Sequence, residues 1–181
     1  MTAINTLMYP KVLVILAHPN LEKSFSNKLI IESLVDKNIL VRDIAKLYPD
    51  FKINTDTEQT SLLEADVIIF QFPLYWYSVP GILKEWMDNI FVKGFAFGKD
   101  GHKLKDKKLL VSITAGSSGK LYPKETIEKI VFPFKGLADY CKMNYLGEVF
   151  SYEMADYSEE AREKTKNNAK IHSKQLLEFI V

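Results

Sequence analysis

Three short stretches carry the residues that could do chemistry. The first is HPNLEKSFSN (18–27), in which His18 precedes Ser24, Phe25, Ser26 and Asn27. A histidine and two hydroxyls beside the start of a helix are donors suited to an anion, because backbone N–H groups at a helix N-terminus bind phosphate. Ordinary capping by Ser24 with a surface His18 accounts for these residues equally well. The second stretch is PLYWYSVP (73–80), a row of aromatics between two prolines. Loops usually run polar over the surface. Pro73, Leu74, Tyr75, Trp76 and Tyr77 therefore either pack inside or wall a flat ring, with tyrosine and tryptophan edges left for polar contacts. The third is TAGSSGKLYP (114–123), where small residues at Ala115, Gly116 and Ser117 let the backbone approach a planar ligand.

The third stretch imitates two familiar motifs and matches neither. A phosphate-binding G-x-x-x-x-G-K-[ST] would need glycine at Thr114 and a hydroxyl at Leu121. A G-x-S-x-G nucleophile elbow would need glycine at Lys120. Taken together, the three loops describe a ligand with a phosphate at one end and a flat polar ring at the other. A flavin nucleotide fits.

These loops must be held by something regular. KVLVILA (Lys11–Ala17), DVIIFQF (Asp66–Phe72) and KLLVSIT (Lys108–Thr114) are continuous apolar runs, as strands buried on both faces require. Ile39–Ile44 and Asn144–Ser151 read as two further strands. Helices are expected over Ser24–Val35, Thr57–Leu63, from Pro80 onward, from Glu125 with an interruption at Pro133, and over Ser158–Phe179. In the helix after Pro80, Ile82, Leu83, Trp86, Met87, Ile90 and Phe91 share one face. Strands alternating with helices predict an α/β fold with a five-stranded parallel sheet and helices on both faces. Ligands of such sheets sit beyond the carboxyl ends of the strands, where all three loops lie.

Bulk properties bound the rest. The 181 residues are 47% hydrophobic and 26% charged, which predicts a single folded domain over 1–181. A net charge of +1 with dispersed lysines gives no nucleic-acid signal. The lone Cys141 and the absence of a basic-then-apolar start in MTAINTLMYP lead to a cytoplasmic expectation. Val67–Leu83 lacks charge but is broken by Pro73, Pro80 and Gly81, so no membrane span is expected. His18, His102, His172 and Cys141 lack ligand spacing, and no metal site is expected.

The stretch FQFPLYWYSVPGILKEWMDNIFVKGFAFG resembles a segment of the flavodoxin-like NAD(P)H:quinone oxidoreductases, the group that includes DT-diaphorase and the ancillary proteins of bacterial glutathione-gated potassium-efflux systems. His18-Pro19 with Ser24–Asn27, and Thr114–Ser117, resemble the family's flavin-phosphate and isoalloxazine loops. The resemblance implies that His18 and Ser24, Phe25, Ser26 and Asn27 hold the phosphate. It implies that Pro73, Leu74, Tyr75 and Trp76 line the ring, and that Thr114, Ala115, Gly116 and Ser117 offer it backbone hydrogen bonds. Tyr77 would shape the substrate face. Tyr122 matches a catalytic tyrosine that the family pairs with a histidine, but Glu128 stands at the histidine position. The implied activity is two-electron hydride transfer from NADH or NADPH to quinones through bound flavin, by a ping-pong mechanism. FMN is expected on chain length, with FAD as the alternative. A homodimer with the site at its interface is also implied. A rival role is regulatory, as the ancillary subunit of a membrane potassium-efflux transporter. A further alternative is an anion-binding α/β protein without flavin.

Overall fold

In the computed structural model, which describes residues 10–34 and 39–180, the apolar runs form five parallel strands. These are β1 (Val12–Leu16), β2 (Ile39–Asp43), β3 (Val67–Pro73), β4 (Lys108–Thr114) and β5 (Asn144–Ser151). They lie in the order β2-β1-β3-β4-β5, so the chain direction across the sheet reverses between β1 and β3. A crevice opens at such a reversal, beyond the strands' carboxyl ends. The expected fold class is the one observed.

Among the described residues six α-helices cover both faces. They are α1 (Phe25–Glu32), α2 (Ile44–Leu47), α3 (Thr55–Glu64), α4 (Gly81–Ile90), α5 (Lys124–Tyr140) and α6 (Glu159–Ile180). One face of the sheet packs Leu13, Ile15, Phe70, Phe72, Val111 and Ile113 against Leu62 of α3, Trp86 of α4 and Phe134 of α5. The opposite face packs Val14, Leu16, Ile69, Leu110 and Val149 against Ile30 of α1 and Leu176 of α6. Period-two alternation along each strand divides the residues between these two cores.

Three expectations need correction. The break at Pro133 does not occur: α5 runs through it. Proline removes a helix N–H and crowds the carbonyl four residues back, at a cost of about 3 kcal/mol. Pro133 lies on the exposed side, while Val131 and Phe134 are buried against the sheet and hold the helix on course. The second strand ends at Asp43 rather than Ile44, because Asp43 caps α2 by accepting the Lys46 N–H at 3.2 Å. Helix α1 starts after Ser24 and ends at Glu32; the expected end at Val35 lies outside the described residues.

One irregularity sets up the site. Leu109 pairs with Tyr145 but Leu110 pairs with Gly147, so β5 carries one extra residue. Gly147 sits at φ +139°, where a side chain would be strained. A one-residue slip turns every later side chain to the other face. It thereby puts Ser151 on the α1/α6 face, beside Thr114.

Candidate cofactor site

A cavity of about 170 Å³ lies at the reversal point, beyond β1, β3 and β4. It is lined by His18, Ser24, Phe25, Ser26, Asn27, Pro73, Leu74, Tyr75, Thr114 and Gly116, all picked out in the sequence. Lys23, Met154 and Asp156 also line it. Sequence reasoning missed these. The rule that ligands meet strand carboxyl ends, applied to the loop after β5, would have found the last two. A larger hollow of about 540 Å³, bounded by Lys11, Leu40 and Glu64, lies at the amino ends of the strands, away from the crevice. The smaller cavity has the convergent polar groups that mark a binding site.

The cavity floor is the start of α1. Ser24 caps the helix, its Oγ accepting the Asn27 N–H at 3.3 Å. The N–H groups of Phe25 and Ser26 make no hydrogen bond among the described residues, as expected of a first helical turn. Asn27 is buried and its side chain is fully spent. Nδ2 donates to Ser24 Oγ and to Thr114 Oγ1, each at 3.1 Å, and Oδ1 accepts from Gln71 Nε2 at 2.7 Å. It therefore acts on a ligand through the two hydroxyls. His18 Nδ1 accepts the Asn20 N–H at 3.1 Å, which leaves Nε2 as the ring's donor. Partial burial lowers the His18 pKa from its ordinary value, opposed by the charge of Asp43, so the ring is neutral at pH 7.

The aromatic loop forms a tight turn. Tyr75 and Ser78 exchange N–H···O bonds of 3.0 and 2.9 Å, with Trp76 at φ +49° and Tyr77 at φ +62° between them. Two side-chain-bearing residues in the left-handed region cost roughly 1–2 kcal/mol each. Such strain concentrates at ligand clamps. Trp76 is 95% exposed and lies at the tip of the turn rather than in the cavity. Tyr77 meets Tyr122 at 6.0 Å between ring centroids, and Tyr122 in turn packs on Phe150 and stacks on Tyr152. The Tyr122 hydroxyl has no hydrogen-bond partner among the described residues.

In the β4 loop, Ala115 is buried and commits both its backbone groups: its N–H to Ser151 O at 2.8 Å, and its carbonyl to Met154 N at 3.0 Å. It has no N–H left for a ligand. Gly116 and Ser117 make no N–H bond among the described residues, and open space lies above Gly116. Ser117 faces an adjoining cleft of about 500 Å³ that also holds Glu153, Glu160 and Lys164. Lys164 is paired with Glu153 at 2.8 Å. Glu128 sits on the outer side of α5, half exposed and 3.9 Å from Lys124.

Comparison with known proteins agrees with this architecture. A family model described as flavodoxin-like fold matches residues 10–176. An uncharacterized NAD(P)H oxidoreductase, YrkL of Bacillus subtilis (strain 168), is 39% identical, covering 88% of this chain and 93% of its own. The glutathione-regulated potassium-efflux system ancillary protein KefG of Salmonella paratyphi B is 36% identical over 78% of this chain and 81% of its own. Among solved structures, general stress protein 14 of Treponema denticola in complex with FMN superposes with a TM-score of 0.85. It has 28% identity, covering 94% of this chain and 99% of that one.

Proposed function

The chain belongs to the flavodoxin-like family, and on that premise we propose that it is an FMN-dependent NAD(P)H oxidoreductase that reduces quinones. The observation that carries this reading is the convergence, in one cavity at the sheet's reversal point, of an open helix N-terminus, the Ser24 and Thr114 hydroxyls and His18, beside an apolar rim. The likeness to an NAD(P)H oxidoreductase and to a protein solved in complex with FMN supports it. A volume of about 170 Å³ suits a phosphate and its polyol arm, and Leu74 and Tyr75, which line it, would hold the ring.

A bound flavin would supply the hydride-transfer chemistry between NADH or NADPH and the acceptor. The protein's part is to bind and to polarise. The N–H groups of Phe25 and Ser26, the Ser24 hydroxyl and His18 Nε2–H would hold the phosphate, each a donor to a charged acceptor. Pro73, Leu74 and Tyr75 would keep water from the ring. The N–H groups of Gly116 and Ser117, with the Tyr122 hydroxyl, would meet its polar edge, where donors stabilise developing negative charge. Tyr77 would shape the substrate face. Carboxylates support FMN over FAD. Lys23 and Asp156 both border the cavity, and in the cleft beyond it Glu153 and Glu160 face Lys164, so among the described residues that line them a second phosphate would meet net negative charge.

Trp76 and, on α5, Phe132 are 95% and 71% exposed, which supports a homodimer whose second copy covers the rim. The likeness to KefG supports a second reading, an ancillary subunit of a potassium-efflux transporter with reductase activity beside it. Co-purification with such a transporter separates the two. The kinetic test of the main reading is initial rates of NADPH and NADH oxidation at several fixed quinone concentrations. One flat site serving both substrates in turn gives parallel double-reciprocal lines, the ping-pong signature. Intersecting lines would contradict the shared site.

A further inference from the structure

The α1/α6 face of the sheet ends in an unusual row. Gln71 of β3, Ser112 of β4 and His172 of α6 are all fully buried. They form one continuous hydrogen-bond chain to the cavity. Ser151 Oγ lies 2.8 Å from His172 Nδ1, and His172 Nε2 lies 2.6 Å from Ser112 Oγ. Ser112 bonds Gln71 Oε1, and Gln71 Nε2 reaches Asn27 Oδ1 at 2.7 Å. Asn27 then donates to Ser24 and Thr114.

With the Gln71 and Asn27 amides oriented as in the structure, counting hydrogens gives the chain one direction. Gln71 gives its amide hydrogen to Asn27, so its carbonyl faces Ser112, and Ser112 must donate its only hydrogen there. His172 Nε2 then meets a lone pair on Ser112 and must itself carry the proton. Burial pushes the His172 pKa down to about 3, so the ring is neutral and holds a single N–H. Nδ1 is bare and accepts from Ser151. At the far end, Asn27 donates to both hydroxyls, so neither Ser24 nor Thr114 spends its own hydrogen within the chain. Both line the cavity. The same residues could also pair in reverse, with both amides turned and the proton on Nδ1. The Ser24 and Thr114 hydrogens would then point at Asn27, and their lone pairs would face the ligand. A donor-lined pocket attracts phosphate; an acceptor-lined one repels it.

We propose that His172 is a positioning residue for the cavity: its Nε2–H tautomer orients the chain through Ser112, Gln71 and Asn27 so that Ser24 and Thr114 offer hydrogens to a phosphate monoester. The inference rests on the FMN-binding reading above. It deepens that reading by assigning a phosphate-selecting role to residues that do not touch the ligand.

Two measurements test it. In the FMN-loaded protein, ¹⁵N NMR of the histidine side chains reads the tautomer directly, without any variant. The Nε2–H form is expected, and an Nδ1–H form or an imidazolium overturns the proposal. Separately, dissociation constants for FMN and for riboflavin, which lacks the phosphate, are compared in the native protein and in Ser112→Ala, His172→Phe and Ser173→Ala. Ser173 is also buried on α6 but bonds Ser33 and the Ala169 carbonyl, outside the chain. The preference for FMN over riboflavin is expected to fall roughly tenfold in the first two variants and to hold in the third. If both flavins weaken alike, the chain is only structural and the proposal fails. If the native protein binds both flavins equally well, the phosphate-site reading fails first; if it binds neither, flavin binding itself is wrong.

Discussion

The two faces of the sheet treat buried polar groups in opposite ways. On the α3/α4/α5 side the strands stay apolar to their carboxyl ends, through Phe72 and Ile113. The one buried charge there among the described residues, Glu58, is saturated. It takes a two-pronged pair from Arg42, the Tyr48 hydroxyl at 2.6 Å and the Trp86 indole N–H at 3.0 Å. Nothing is left over to bind a ligand. On the α1/α6 side the strands turn polar at Gln71, Ser112, Thr114 and Ser151, and the hydrogen bonds run out into a cavity. A closed network anchors the fold, whereas an open one faces a ligand. The contrast puts the proposed site on one face of the carboxyl edge.

Breaking the closed network gives the largest effect. Glu58→Ala leaves the Arg42 guanidinium, 17% exposed, without its partner and strips acceptors from Tyr48 and Trp86. Removing one member of a buried pair costs about 3–5 kcal/mol. Urea denaturation is expected to show that loss, with flavin affinity unchanged in whatever protein remains folded. A parallel loss of affinity would mean the two faces are not independent.

Next comes an acid dependence confined to the open face. His172 titrates at about 3 when folded and near 6.5 when unfolded. The unfolded chain therefore takes up a proton first, and stability is complete above pH 6.5 and falls as pH drops toward 3. The slope is about 1.4 kcal/mol per pH unit for one proton. Subtracting the stability curve of His172→Phe from that of the native protein isolates it. A flat difference across this window would contradict a buried neutral imidazole.

The direct contacts are smaller. His18→Ala removes one donor to a charged phosphate, worth about 1.5–3 kcal/mol, and is expected to weaken FMN binding roughly ten- to a hundredfold. Unchanged affinity would take His18 off the phosphate. Smaller still is Tyr122→Phe, for which a roughly three- to thirtyfold slower flavin reduction in stopped flow corresponds to about 0.7–2 kcal/mol. Glu128→Gln is expected to change little, since Glu128 points toward Lys124 and solvent. A large effect there would mean that Glu128 stands in for the family's histidine.

How much of this was legible in the sequence differs by region. The central strands were legible because burial on both faces makes their residues largely apolar: Lys108–Thr114 carries the bounds read from sequence. The edge strand Asn144–Ser151 also keeps its bounds, although it is only partly buried and mixes polar with apolar residues. The loops were legible because prolines, glycines and clustered hydroxyls depart from their surroundings. The helix through Pro133 was not, because its continuity depends on which side faces solvent. Nor was the polar chain. Gln71 and Ser112 are single polar residues in separate apolar runs, His172 is one polar residue among many on α6, and only the β3–β4 register and the packing of α6 bring them into line, with Ser151 joining through the extra residue before Gly147. Met154 and Asp156 were within reach of the strand-end rule, since they follow β5, and the fold brings their loop back with Met154 N bonding the Ala115 carbonyl.

The central claim is that the open network binds a flavin phosphate. The most direct measurement is titration of flavin-free protein with FMN, followed by flavin fluorescence, with inorganic phosphate as competitor. The account predicts saturable binding of about one FMN per chain, weakened by phosphate. No binding, or binding indifferent to phosphate, would contradict it.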